Sequence, residues 1–152
     1  MPKWIGFLLS GILVFGLVLV RVFEEDLFYD PFLKFFQQDY LNKPLPDYQL
    51  GWIGVNVTFR YLLNSLIGLG IIWFLFRDIK KVKFSGFVFI IFWLLLLPTY
   101  LYMIEIDFKF GENIGFYIRR FLIQPMLPLV MVPAFYYFDY MKRLNKIDSG
   151  RN

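Results

Sequence analysis

Apolar residues are concentrated in four long runs along the chain, and most of the charged residues lie in the segments between them. A helix that crosses about 30 Å of hydrocarbon needs about 20 predominantly apolar residues. Each run is about that long, and none contains Asp or Glu. The runs cover residues 4–23, 54–76, 84–104 and 116–138. The pattern therefore predicts an all-α integral membrane protein with four transmembrane helices in one membrane domain, residues 1–152.

The first run has the basic start and apolar middle of a secretory signal peptide. Lys3 precedes it, and Arg21 lies at its end. A cleaved signal would continue into a small-x-small motif, whereas this chain continues into Val22, Phe23 and Glu24. We therefore expect the run to be retained as the first span.

Charged residues are distributed unequally among the connecting segments. Basic residues dominate the link 77–83 and the tail 139–152, whereas acidic residues dominate the loop 24–53 and the link 105–115. Short loops rich in Lys and Arg remain in the cytoplasm. The pattern predicts a multi-pass protein with both termini cytoplasmic and the loop 24–53 outside. The formal charge of +4 thus reflects topology and gives no reason to expect a nucleic-acid partner.

Composition supports a membrane location and limits the possible chemistry. Hydrophobic residues make up 59% of the chain and charged residues only 18%, unlike a typical soluble domain. There is no Cys and no His, which excludes disulfides, thiolate nucleophiles, Cys/His zinc sites and imidazole acid–base catalysis. We predict no metal, no cofactor and no catalytic residue, so an enzyme is the less favoured class.

The loop 24–53 contains the signals of a short helix. Asp30 before Pro31 is typical of a helix start, because Asp accepts backbone N–H bonds and Pro fits the first helical position. A helix over residues 31–40 would place three aromatic side chains on one side, namely Phe32, Phe35 and Phe36. We expect it to lie flat at the outer membrane interface and to present these side chains to a partner.

Polar residues inside the second and fourth runs form the candidate site. Residues four apart share a helix face, and both spans are predicted to run from outside to inside, so these groups lie in the outer leaflet. They are Arg60, Asn64, Arg119, Arg120 and Gln124, and the acids Glu24, Glu25 and Asp26 lie at similar depth. One hypothesis is a pocket that binds a carboxylate, a lipid phosphate or an acidic segment. The alternative is that each Arg reaches the headgroups or forms an internal ion pair.

Prolines make the predicted third and fourth spans irregular. Pro98 is expected to bend or break the third. Pro125 and Pro128 would deprive the carbonyls of Phe121 and Gln124 of their helical donors, and Arg60 or Asn64 is a candidate replacement. The fourth span is then either a broken helix that lines a site or a kink packed against protein.

Several longer segments are similar to a known family. They are Arg21-Val-Phe-Glu-Glu-Asp-Leu-Phe-Tyr-Asp-Pro-Phe, Asp39-Tyr-Leu with Pro44-Leu-Pro, Phe59-Arg-Tyr-Leu-Leu-Asn-Ser-Leu-Ile, and Arg119-Arg-Phe-Leu-Ile-Gln-Pro with Pro133-Ala-Phe-Tyr-Tyr. Together they resemble the exosortase F system-associated proteins of flavobacteria. That resemblance implies a small bacterial inner-membrane protein encoded beside an exosortase, a membrane-embedded transpeptidase-like enzyme. An exosortase would be expected to use Cys, Arg and His, so this chain is not the enzyme itself.

Three functions are compatible with these observations. The first is an accessory subunit that binds membrane lipids and a larger inner-membrane protein, an exosortase or related sorting or export machinery. The second is an outer-leaflet lipid- or anion-binding protein or enzyme that uses the intramembrane Arg residues. The third is a small transporter or channel subunit, which would require an oligomer to build a pathway.

Overall fold

The computed structural model describes residues 2–27, 49–107, 111–124 and 126–150, and every regular element in these ranges is an α-helix. The helices are α1 (Lys3–Val22), α2 (Glu24–Leu27), α3 (Leu50–Phe76), α4 (Ile79–Glu105), α5 (Glu112–Ile123) and α6 (Met126–Ser149). The all-α prediction is confirmed for this part of the chain. The predicted interfacial helix over 31–40, with Phe32, Phe35 and Phe36, lies outside the described residues.

Three of the helices are long and apolar enough to cross a membrane, namely α1, α3 and α4. They overlap the predicted spans 4–23, 54–76 and 84–104. The fourth predicted span is divided: α5 ends at Ile123, α6 begins at Met126, and the two helices are bent by 66°. By length and composition this pair is either one broken span or a re-entrant loop.

A tight turn joins α3 to α4. Arg77 adopts a left-handed conformation with φ of 50°, and its backbone N–H donates to the carbonyl of Trp73 at 2.8 Å. Asp78 then caps α4 by accepting from the backbone N–H of Lys80 at 2.9 Å. The turn makes α3 and α4 an antiparallel hairpin, in which the Tyr61 hydroxyl donates to the carbonyl of Phe89 at 2.6 Å.

Small residues allow α1 to approach α3 closely. Gly6 and Ser10 are the buried residues of α1. A Cβ atom built on Gly6 would lie 2.5 Å from the carbonyl oxygen of Phe74, so the two backbones are nearly in contact there. Much of the rest of α1 is exposed, including Phe7 and Phe15. Close approach at small residues is the usual way that helices associate in lipid.

The pair α5 and α6 packs along α3 in the same direction as that helix. Successive contacts fall in the same order on both: Asn64 with Ile123, Gly68 with Pro128, and Phe76 with Phe135. The bend between α5 and α6 therefore does not separate α6 from α3. It brings the end of α5 against the middle of α3 and leaves α6 beside the second half.

Of the two effects predicted for Pro98, a bend or a break of the third span, the break is wrong, because α4 continues through Pro98 to Glu105. Pro98 removes one backbone donor from the helix. The neighbouring Thr99 hydroxyl donates to the carbonyl of Leu95 at 2.6 Å, which supplies a further hydrogen bond at this point of the helix. That bond reaches the carbonyl of Leu95, whereas the carbonyl that Pro98 deprives of its helical donor is that of Leu94.

The main buried cluster runs along α3 from Ile53 to Ile72 and includes residues of α4, α5 and α6. Its most buried apolar members are Ile53, Ile72, Tyr100, Ile104 and Leu122. Many large apolar side chains outside this cluster are exposed, as in Leu66, Leu95 and Leu129. A surface of this kind is suited to lipid or to other membrane proteins.

Candidate functional site

A buried ion pair joins Arg60 of α3 to Glu24 of α2. Arg60 is 2% exposed and Glu24 5% exposed. The chain turns at Phe23, after α1, and this turn directs Glu24 toward α3, where its Oε2 accepts from Arg60 Nη2. Arg21 Nη1 lies 3.3 Å from the same Oε2 atom. One carboxylate oxygen therefore receives two guanidinium groups, one buried and one half-exposed.

The ion pair fixes the level of Arg60 relative to the first helix. If α1 crosses the bilayer, its 20 residues rise about 30 Å, which equals the hydrocarbon thickness. Glu24 follows that helix directly, so it lies at one edge of the hydrocarbon, and Arg60 lies at the same level. The part of α3 that precedes Arg60 then extends about 15 Å beyond this edge of the hydrocarbon, away from the membrane centre.

Asn64, one turn beyond Arg60, stabilises the break between α5 and α6. It is buried, and its Nδ2 donates to the carbonyl of Ile123 at 3.0 Å. Ile123 is the last residue of α5, so the helix itself does not continue to provide a donor there. The structure thus has the predicted Asn64-to-carbonyl bond, but to Ile123 rather than to Phe121 or Gln124. Arg60, the other candidate donor, bonds Glu24.

The adjacent residues Arg119 and Arg120 point in different directions. Arg119 is 5% exposed and has a partner within the protein. Arg120 is exposed, and its Nε donates to Oε1 of Gln124 at 3.0 Å. Arg120 and Gln124, which the sequence predicts to share a helix face, are thus close enough to bond each other. Arg120 lies on the same exposed face of α5 as Ile114 and Tyr117.

The three predicted acids are not equivalent. Glu24 is buried against Arg60, whereas Asp26 is exposed. The side chain of Glu25 lies outside the described residues. Glu24 is thus the predicted acid that the structure pairs with a candidate Arg residue.

A small cavity adjoins Asn64 on its side toward the break. Its walls include Tyr61, Asn64, Ser65, Gln124 and Pro128, and its volume is about 10 Å³. That is space for about one water molecule. The polar groups around the cavity are suited to hold such a water, which would contribute further bonds at the break. Across the described ranges, Asp and Glu residues form no group that could hold a metal ion.

Two features were not predicted, one at the opposite end of the bundle and one beside Asn64. Lys81 Nζ lies 2.6 Å from Asp139 Oδ2 and 4.4 Å from the centre of the Phe76 ring, which links the start of α4 to α3 and α6. Gly68 is the second feature, because a Cβ atom there would lie 2.4 Å from Cγ of Pro128. The sequence offers opposite charges at the ends of two spans, but their pairing requires knowledge of which helices are neighbours.

Comparisons with known proteins identify no relative of this chain. No family model matches the sequence, and neither the curated proteins nor the solved structures include a match.

Proposed function

We propose that this protein is a non-enzymatic accessory subunit of a larger inner-membrane protein, which it contacts through the exposed face of α5. The family resemblance makes an exosortase-type sorting enzyme the first partner to test. The aromatic residues Phe32, Phe35 and Phe36 remain part of the proposed contact surface. Because it binds rather than reacts, such a subunit needs neither a nucleophile nor a cofactor.

The division between buried and exposed Arg residues is the observation on which this proposal rests. Arg60 is neutralised by Glu24 inside the bundle, which makes it a structural residue. Arg120 is held in place by Gln124 but remains on the surface. An Arg presented beside Ile114 and Tyr117 combines a charge with apolar and aromatic contacts, the combination that dominates protein interfaces.

The alternative functions gain less support from the same site. A lipid- or anion-binding enzyme would need Arg60 to be available, but its guanidinium contacts Glu24. A transport pathway would need more space beside the broken helix than a cavity of about 10 Å³ provides. The exposed Arg120 is also compatible with a lipid headgroup, and the experiment below distinguishes the two occupants.

A photo-crosslinking amino acid at position 120 is expected to capture a discrete membrane protein in native membranes, because this face would lie in the interface. A probe at Tyr117 should give the same product. The matched control is Phe15 of α1, which is equally exposed but on another helix. Crosslinks to lipid alone at both α5 positions, or identical protein products from Phe15, would contradict the proposal.

Arg120→Ala should lower recovery of the captured protein in mild detergent about fivefold or more, as for an interface residue worth at least about 1 kcal/mol. Lys146→Ala removes the same charge from an exposed position on α6 and should leave recovery unchanged. Equal recovery with both variants would exclude a role for Arg120 in partner binding.

We further propose four crossings with both termini in the cytoplasm, in which α5 and α6 together form the fourth. The ordered contacts of this pair along α3 support a broken span over a re-entrant loop. Because the chain lacks Cys, single Cys substitutions report topology without background. In spheroplasts, an impermeant maleimide should label Asp26→Cys and Asn113→Cys at once, but Lys80→Cys and Lys146→Cys only after lysis. Labelling of position 80 or 146 in intact spheroplasts would contradict this topology.

A further inference from the structure

A cleft of about 360 Å³ lies at the opposite end of the bundle from Glu24, between the start of α1, the end of α3 and the middle of α6. Its lining residues contribute three cations, from three different helices or their ends. They are Lys3, Arg77 and Arg143, and the walls between them include Phe7 and Tyr136. The cleft is thus basic at its rim and aromatic on its sides.

The lining has an excess of positive charge. Asp139 is the acidic residue among the lining residues, and its Oδ2 lies 2.6 Å from Lys81 Nζ. Lys81, which does not line the cleft, therefore neutralises the charge of the Asp139 carboxylate. The three cations of the cleft create a positive potential that favours an anion.

The fold fixes the positions of these basic groups. Arg77 ends α3 in a left-handed conformation, and its Nη2 donates to the carbonyl of Pro2 at 3.2 Å, just before α1. The contact between Gly6 and Phe74 keeps the start of α1 close to α3. Arg143 reaches the same cleft from the exposed extension of α6. Helix packing therefore brings the three cations together around one cleft.

We propose that this cleft binds the headgroup of an anionic phospholipid of the inner leaflet. Arg pairs with phosphate through two parallel hydrogen bonds, and Lys adds a third positive group. Basic pockets between transmembrane helices on the cytoplasmic side are suited to lipid phosphates. The aromatic walls at Phe7 and Tyr136 would contact the glycerol and upper acyl chains, which a free phosphate lacks.

The test is native mass spectrometry of the purified full chain in detergent, with phosphatidylglycerol or phosphatidylcholine added. Wild-type protein should retain phosphatidylglycerol preferentially. The triple variant Lys3→Gln, Arg77→Gln and Arg143→Gln should lower its bound fraction about tenfold or more. The matched control neutralises three exposed basic residues outside the cleft lining, with Lys83→Gln, Lys142→Gln and Lys146→Gln, and should bind as wild type.

Two further measurements keep the result unambiguous. Arg77 also bonds Pro2, so the single variant Arg143→Gln, expected to weaken binding without disturbing that contact, guards against misfolding of the triple variant. Glycerol 3-phosphate serves as a soluble competitor and should not displace the lipid at millimolar concentration. Equal losses in the triple and control variants, equal retention of phosphatidylcholine, or displacement by glycerol 3-phosphate would each overturn the proposal.

Discussion

Glu24→Ala is expected to lower the free energy of unfolding by about 3–5 kcal/mol. The substitution removes the carboxylate bonded to the guanidinium of Arg60, which is 2% exposed. A buried cation that loses its bonded anion keeps its desolvation cost without the compensating attraction. Reversible unfolding in mixed micelles, with SDS as denaturant, measures the difference.

Asp26→Ala is the matched control for that experiment. It removes a carboxylate from the same short helix, but from an exposed position, and should change stability by no more than about 0.5 kcal/mol. Glu24→Leu combined with Arg60→Met removes both charges and should recover most of the lost stability. Equal effects of Glu24→Ala and Asp26→Ala would show that the ion pair does not stabilise the bundle.

Gly6→Ala is expected to destabilise the protein by about 1–3 kcal/mol, although alanine is the better helix former by about 1 kcal/mol. The added Cβ atom would lie 2.5 Å from the carbonyl oxygen of Phe74, and a backbone atom cannot move aside as a flexible side chain can. The helices α1 and α3 would have to separate along their contact. The same unfolding assay applies.

Gly11 and Gly16 provide controls within the same helix. A Cβ atom on either would have no neighbouring heavy atom within 4 Å, so alanine at these positions should be neutral or stabilise by up to about 1 kcal/mol. The prediction is therefore a change of sign along one helix. If all three alanine variants shift stability in the same direction, close packing at Gly6 is not what joins α1 to α3.

Much of the architecture follows from residue spacing within single helices. The apolar runs locate α1, α3 and α4, and a four-residue separation correctly places Arg60 with Asn64 and Arg120 with Gln124. An irregular fourth span also follows, since proline lacks the backbone donor that a helix requires. The position of the break does not, because α4 and α6 continue through Pro98 and Pro133, and the structure alone locates it between Ile123 and Met126. These features depend on local geometry, which the sequence specifies residue by residue.

The partners of these residues depend on contacts between helices, which the sequence specifies less directly. The sequence alone does not show which of three adjacent acids meets Arg60, namely Glu24, Glu25 or Asp26. The turn at Phe23 determines that it is Glu24. Arg119 and Arg120 likewise differ by the rotation of about 100° between neighbouring helical residues, which buries the first and exposes the second.

The brevity of α5 has a consequence for how the protein is assembled in the membrane. Its 12 residues rise only about 18 Å, and two of them are Arg, so the helix cannot be inserted across a bilayer as an independent segment. Its terminal carbonyl is satisfied by Asn64, which belongs to the preceding hairpin. In the proposed topology, the hairpin of α3 and α4 must therefore be inserted before α5 and α6. The inserted hairpin then provides the bonding partner that α5 needs in order to enter the membrane.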